Sequence, residues 1–299
     1  MNRLFCFGLG YTALALARRL IAEGWSIAGT TRTADKRARL AAAGIEVHPF
    51  DRDRPLAHAA AALEGTTHLL TSIPPDEAGD AVLDHHLADL RACATLQWVG
   101  YLGTTGVYGD RGGAWIDESA PVAPSMPRTR RRAAAETRWL RSGLPVHVFR
   151  LAGIYGPGRN ALDAVRAGTA RRIVKPGQVF GRVHVDDIVQ VLRASIARLD
   201  PGAIYNVADD EPAPPQDVVV FACELLGVAP PPEVPYAKAE LTPMARSFYA
   251  DNRRVCNARI KSELGVRLLY PSYREGLRAI LAEELSDRTR RRGRAEPPP

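Results

Sequence analysis

Between Leu4 and Leu151 the sequence alternates short β-rich runs with alanine-rich stretches of helical period. That pattern admits few folds other than a parallel sheet wrapped by helices. Strands are expected at Leu4–Phe7, Trp25–Thr31, Ile45–Phe50, Thr67–Ile73, Gln97–Gly103 and Val146–Leu151, with helices at Tyr11–Ala22, Ala34–Ala43, Leu56–Leu63, Val82–Ala94 and Ala133–Arg141. In the first helix Leu14, Ala17, Leu20 and Ile21 recur at helical spacing, and Gly24 stands where a helix C-terminal glycine belongs. Six strands make a doubly wound α/β sheet of Rossmann type, assigned to residues 1–151.

Beyond Leu151 the texture changes. Gly153–Gly158 and Pro212–Pro215 are rich in glycine and proline and separate expected helices at Ala161–Gly168, Ile188–Leu199 and Asp217–Leu226. Residues 152–285 read as a smaller substrate region, and a strand at Ala203–Val207 would return to the main sheet and interweave the two parts. Residues 286–299 hold five arginines against Asp287 and Glu296 and end in three prolines, a composition expected to be disordered.

The net charge of +7 is concentrated in that tail and in Arg128–Arg132, which argues for local solvated clusters and against nucleic acid as a partner. No apolar run reaches the length of a membrane span and no signal-peptide core follows Met1. The four cysteines lack any CxxC pairing, so neither a metal site nor a disulfide framework is expected, and a reducing, cytoplasmic setting fits.

Gly8-Leu9-Gly10-Tyr11-Thr12-Ala13 matches G-x-G-x-x-G/A at a strand-to-helix junction, the context that gives this short pattern meaning. Gly8 serves the tight turn, Gly10 lets backbone approach a pyrophosphate, and Ala13 is small enough for the helix to pack on the strand. The helix N-terminus offers free N–H groups and partial positive charge to phosphates. At the end of the second strand an NAD site places an acidic residue; here stand Thr31 and Arg32. A guanidinium suits a 2′-phosphate, so NADP is preferred over NAD. With Tyr11, Thr12, Asp51 and Ser72, these residues form the expected cofactor-binding set.

Three further segments carry a resemblance. Thr104-Thr105-Gly106-Val107-Tyr108-Gly109, Arg150–Gly158 with its Tyr155-Gly-Pro-Gly, and His184-Val-Asp-Asp187 resemble, in order, motifs of the extended short-chain dehydrogenase/reductase superfamily, which includes NAD-dependent epimerases and dehydratases. The resemblance implies a mechanism in which a tyrosine acts as acid/base, a lysine lowers its pKa, and a serine or threonine, here Thr104, holds the substrate oxygen. At the tyrosine and lysine positions stand Arg128 and Arg132. Arg132 can still reach a nicotinamide ribose, but an arginine at 128 cannot accept a proton. Phe7 also replaces the first of the family's three glycines, which points to an atypical branch.

Tyr108, Tyr155, His184, Asp117 and Glu118 are the substitute proton carriers to weigh; packing is the expected role of the two tyrosines, and a strand leading into an acid-capped helix accounts for His184-Val-Asp-Asp187. The expected function is an NADP-dependent oxidoreductase, epimerase or dehydratase acting on a polar small molecule, nucleotide-linked substrates included. The alternative is a non-catalytic NADP-binding sensor or scaffold. The resemblance also permits a homodimer.

Overall fold

The computed structural model describes residues 2–295. Seven strands form one all-parallel sheet: β1 (Arg3–Phe7), β2 (Ser26–Thr31), β3 (Glu46–Pro49), β4 (His68–Thr71), β5 (Trp98–Thr104), β6 (Val146–Leu151) and β7 (Ile204–Val207). Their spatial order is β7-β6-β5-β4-β1-β2-β3, with β1 pairing both β2 and β4. The order reverses at β1, which is where a doubly wound sheet opens a crevice beyond its strand ends. β7 pairs with β6 in register Ile204 to Val148 through Val207 to Leu151, so the interweaving strand is part of the sheet.

Helices α1 (Tyr11–Ala22), α2 (Ala34–Ala42), α3 (Ala59–Leu63), α4 (Ala81–Ala92) and α5 (Pro127–Leu140) connect the first six strands. Both sheet faces are covered, which is why the central strands β1 and β5 are almost wholly buried, whereas β3 at the edge is not. Alternate residues of β1 go to opposite layers. Leu4 and Cys6 join Leu16, Leu20, Trp98, Phe149, Ile188 and Leu192, whereas Phe5 and Phe7 join Phe50, Leu63, Leu83, Leu90, Trp139 and Val148. All four β1 residues are fully buried. The four cysteines are free thiols.

The later half adds α6 (Ala161–Arg166), α7 (Val185–Ala197), α8 (Pro215–Leu226), α9 (Pro243–Phe248), α10 (Ala258–Ser262) and α11 (Tyr273–Ala295). Helices α6, α8 and α11 enclose a separate small core of Tyr155, Leu162, Val218, Ala222, Tyr273, Leu277 and Ile280. Three short parallel pairs stitch the lobe: Gly153–Tyr155 with Arg182–His184, Arg172–Val174 with Glu233–Pro235, and Trp115–Ile116 with Arg254–Val255.

Several boundaries differ from the sequence expectation. α5 begins at Pro127 rather than Ala133, because proline is preorganised for a first helical position and the Thr129 hydroxyl accepts from Met126 N at 3.2 Å. Arg128 and Arg132 therefore share one helix. α7 begins three residues before Ile188, since His184 Nδ1 accepts from Asp186 N and caps it. α3 is limited to five residues. The segment expected to be a disordered tail from Ser286 is helical as far as Ala295; Glu296–Pro299 lie outside the described residues. No helix among the described residues is long and apolar enough to cross a membrane.

Candidate active site

The turn after β1 is built by three neighbours. Gly8 N donates to Thr30 Oγ1 at 2.8 Å, Leu9 N donates to Thr30 O at 2.9 Å, and Ser72 Oγ donates to Gly8 O at 2.6 Å. Gly8 has φ +87°, and a Cβ there would stand 2.8 Å from Ile73 Cγ1 and 2.9 Å from Ser72 Oγ. Only glycine meets both demands. Fully buried Ala13 seats α1 against the sheet. No side chain caps α1, and among the described residues the N–H groups of Tyr11, Thr12 and Ala13 have no acceptor. Three free amides at a dipole's positive end, over a glycine turn, fit a nicotinamide dinucleotide's pyrophosphate.

The turn opens into a cavity of about 1030 Å3. It is lined by Gly10, Tyr11, Thr12 and Ser72 around the turn, by Thr104, Arg128 and Arg132, and by Tyr155, Arg159, Arg182, Tyr249 and Asp251 from the lobe. Tyr11 joins the two halves, its hydroxyl donating to Pro157 O at 2.9 Å while the Arg159 guanidinium lies 5.9 Å from its ring centre. Thr31, Arg32 and Asp51 do not line this cavity. Thr31 is the last residue of β2, while Arg32 follows it and Asp51 lies just past the end of β3, with Arg32 exposed. There Arg54, a cation that sequence reasoning missed, donates from Nη2 to Asp51 Oδ2 and to Arg32 O, at 2.8 and 2.9 Å. Asp51 is thus paired, and the Arg54 guanidinium stands against the backbone of Arg32.

Thr104 closes β5 and caps the 3-10 turn Thr105–Tyr108, its Oγ1 accepting from Gly106 N at 3.1 Å. The hydroxyl proton stays available to a substrate oxygen. Arg132 Nη1 donates to Leu102 O at 2.9 Å, which fixes this guanidinium at the strand end. Arg128 lies 4.8 Å over the Phe248 ring. Desolvation, and then the Arg132 charge, hold the Arg128 pKa below the usual arginine value.

Four of the five substitute proton carriers are hydrogen-bonded within the fold; His184, buried with its Nε2 unpartnered among the described residues, does not line the cavity. Tyr108 accepts from Arg150 Nη1 and donates to Asn206 Oδ1, both at 2.7 Å, inside a buried network with Glu136. Tyr155 lines the cavity, but its hydroxyl donates to Ser272 O at 3.3 Å and burial raises its pKa far above the ordinary tyrosine range. Asp117 is exposed and bonded to Ser119; Glu118 accepts from Asn206 N at 2.7 Å. Asp187 is buried, its carboxylate accepting from Leu269 N, Tyr270 N and Gln190 Nε2. These side chains hold the fold together, with His184 and Asp187 fastening the start of α7.

Sequence reasoning also missed Arg159, Arg182, Phe248, Tyr249, Asp251 and Arg253 on the cavity wall. The position of Arg159 directly after Tyr155-Gly-Pro-Gly and of Arg182 two residues before His184 was the available signal. The contributions of Phe248 to Arg253 follow no motif.

No family model matches the chain. Protein YeeZ of Escherichia coli K12 is 27% identical over 287 residues, spanning 91% of this chain and 97% of that protein. A 3-diazoavenalumate denitrifying reductase of Streptomyces is 31% identical over 181 residues, 54% of this chain and 58% of that protein. Among solved structures, a conserved protein of unknown function from Silicibacter pomeroyi is 53% identical with a TM-score of 0.89, covering 95% of this chain and 99% of its own. A candidate NAD-dependent epimerase/dehydratase from Methylobacillus flagellatus is 27% identical with a TM-score of 0.71, covering 95% and 98%. The dTDP-glucose 4,6-dehydratase of Bacillus anthracis, solved with NAD, shares the fold at 16% identity and a TM-score of 0.73, covering 96% and 97%. The glycine turn, the ordered motifs after β5 and β6, and this shared architecture agree: the chain has the architecture of NAD-dependent epimerase/dehydratase-like proteins and resembles the extended short-chain dehydrogenase/reductase superfamily.

Proposed function

We propose that this protein is an NADP-dependent oxidoreductase, in the broad class of reductases, epimerases and dehydratases, acting on a polar small molecule. The observation that carries the reading is the continuous cavity joining the α1 amides to Thr104 and the lobe. A scaffold that only held a cofactor would have no use for so large a second chamber. Gly8, Gly10, Tyr11, Thr12 and Ser72 would hold the pyrophosphate half, and Arg32 with Arg54 would hold a 2′-phosphate at the end of β2. A bound nicotinamide supplies or accepts hydride. Thr104 donates a hydrogen bond to the substrate oxygen while solvent exchanges the proton, and Arg132, anchored on Leu102 O, adds positive charge. No arginine in the cavity accepts a proton, so the reaction draws on electrostatic stabilisation and solvent in place of a tyrosine base.

Calorimetric titration of NADPH and NADH tests this. Tighter NADPH binding that Arg32→Glu abolishes, with NADH affinity little changed, is the expected result. Equal loss for both dinucleotides would remove Arg32 as the discriminating group, and no binding of either would overturn the cofactor reading.

A further inference from the structure

We propose that Arg128 and Arg132 form a binding site for an anionic oxygen group of the substrate, a carboxylate or a phosphate, on the cavity wall beside Thr104. The inference rests on the reading of this cavity as the substrate chamber and adds the chemical class of what enters it.

The helix itself supplies the first argument. α5 carries Arg128, Arg130, Arg131, Arg132 and Arg138. Of the three that do not line the cavity, two are paired with carboxylates, Arg131 Nη1 standing 3.3 Å from Glu77 and Arg138 Nη2 2.7 Å from Asp84, while Arg130 Nη1 donates to Ser125 O at 2.8 Å. The two that line it, Arg128 and Arg132, have no carboxylate within ion-pair distance among the described residues. They stand four residues apart, one turn of the helix, where like charges repel.

The rest of the wall does not relieve them. Arg128, Arg132, Arg159, Arg182 and Arg253 line the cavity against the single carboxylate of Asp251. That carboxylate is engaged, accepting from Ser125 Oγ at 2.6 Å and from Arg253 Nη1 at 3.2 Å. Arg182 is committed to Phe180 O and Ala213 O. The Arg128 and Arg132 guanidinium groups are also placed, one over Phe248 and the other on Leu102 O, so little rotamer freedom is lost when a ligand arrives. A neutral ligand would leave their repulsion in place. A carboxylate or phosphate cancels it and matches the guanidinium fork with charge-assisted hydrogen bonds.

The test is calorimetry on the full chain, with and without saturating NADPH, using benzoate, phenyl phosphate and neutral benzyl alcohol as probes. At least one anion should bind about tenfold tighter than benzyl alcohol, and Arg128→Gln and Arg132→Gln should each weaken it about tenfold. Arg131→Gln, outside the cavity, should leave anion affinity within about twofold. All variants should keep the wild-type thermal midpoint. A preference for benzoate assigns a carboxylate and a preference for phenyl phosphate assigns a phosphate. Anion binding no tighter than that of benzyl alcohol, anion binding that survives both cavity substitutions, or equal loss in Arg131→Gln would each overturn the proposal. Arginine-dependent anion binding without any NADPH binding would instead sink the cofactor reading and leave the anion site standing.

Discussion

Replacing Glu136 tests what holds α5, and with it the arginine pair, against the sheet. The Glu136 carboxylate accepts from Arg150 Nη2 at 2.6 Å and from Arg150 Nε at 3.2 and 3.3 Å, and both side chains are about 95% buried (4% and 5% exposed). Arg150 continues to the Tyr108 hydroxyl and so to Asn206 on β7, joining α5, β6 and β7 in one network. Glu136→Gln keeps the shape and removes the charge, leaving a buried guanidinium without its counter-ion. At about 4 Å and an effective dielectric of about 20 the lost attraction is about 4 kcal/mol, within the ~3–5 kcal/mol typical of breaking one side of a buried pair. Urea denaturation should therefore show a drop in midpoint equivalent to about 3–4 kcal/mol at unchanged slope. The double variant Glu136→Leu with Arg150→Met should lose much less than the sum of its single changes, since no orphan charge remains. A cost below about 1 kcal/mol for Glu136→Gln, or additive losses in the double variant, would refute the idea that this pair pins α5.

Two further outcomes follow from the geometry. Gly8→Ala should cost stability by about 1–2 kcal/mol for the left-handed backbone, more if Ile73 cannot move, and should weaken dinucleotide binding; denaturation and calorimetry read the two effects separately, and unchanged affinity for NADPH would show that the turn does not carry the phosphates. His68, buried in β4 beside Trp25 and Trp98, has its pKa lowered to about 4 by desolvation. Its folded pKa lies below the unfolded value of about 6.5, so its contribution is intact above about pH 6.5 and is lost as pH falls towards about 4, where the unfolded chain takes up the proton first. His68→Gln should flatten the stability curve across that window, and an unaltered acid limb would exclude His68 as its source.

Much of the sheet was legible because each βα unit declares itself locally. Leu4–Phe7, the glycine turn and the apolar spacing of α1 lie within a few residues of one another, and the energetics of burying them do not depend on distant partners. Ser72, Thr104, Arg128 and Arg132 line one cavity for the same reason, since each follows or faces the end of a strand. The lobe was harder to read. Its strands are two or three residues long, too short to show a period, and their partners are distant: Trp115 pairs with Arg254 and Arg172 with Glu233. α11 misled because the apolar side chains it buries, Tyr273, Leu277 and Ile280, stand near its start, whereas the sequence beyond Ser286 has no apolar period that would announce a helix. The start of α5 was hidden by four arginines that resemble a solvated loop, although Pro127 marks the boundary.

The place of β7 also bears on how the molecule is made. Until Ile204–Val207 leaves the ribosome, β6 presents a bare edge of unpaired amides and carbonyls, Arg150 has no route to Asn206, and the half of the chain with the glycine turn cannot be sealed. A fragment ending near Leu151 would carry that open edge permanently. Synthesis therefore has to run through residue 207, well into the second half of the chain, before the edge of β6 is protected from edge-to-edge association.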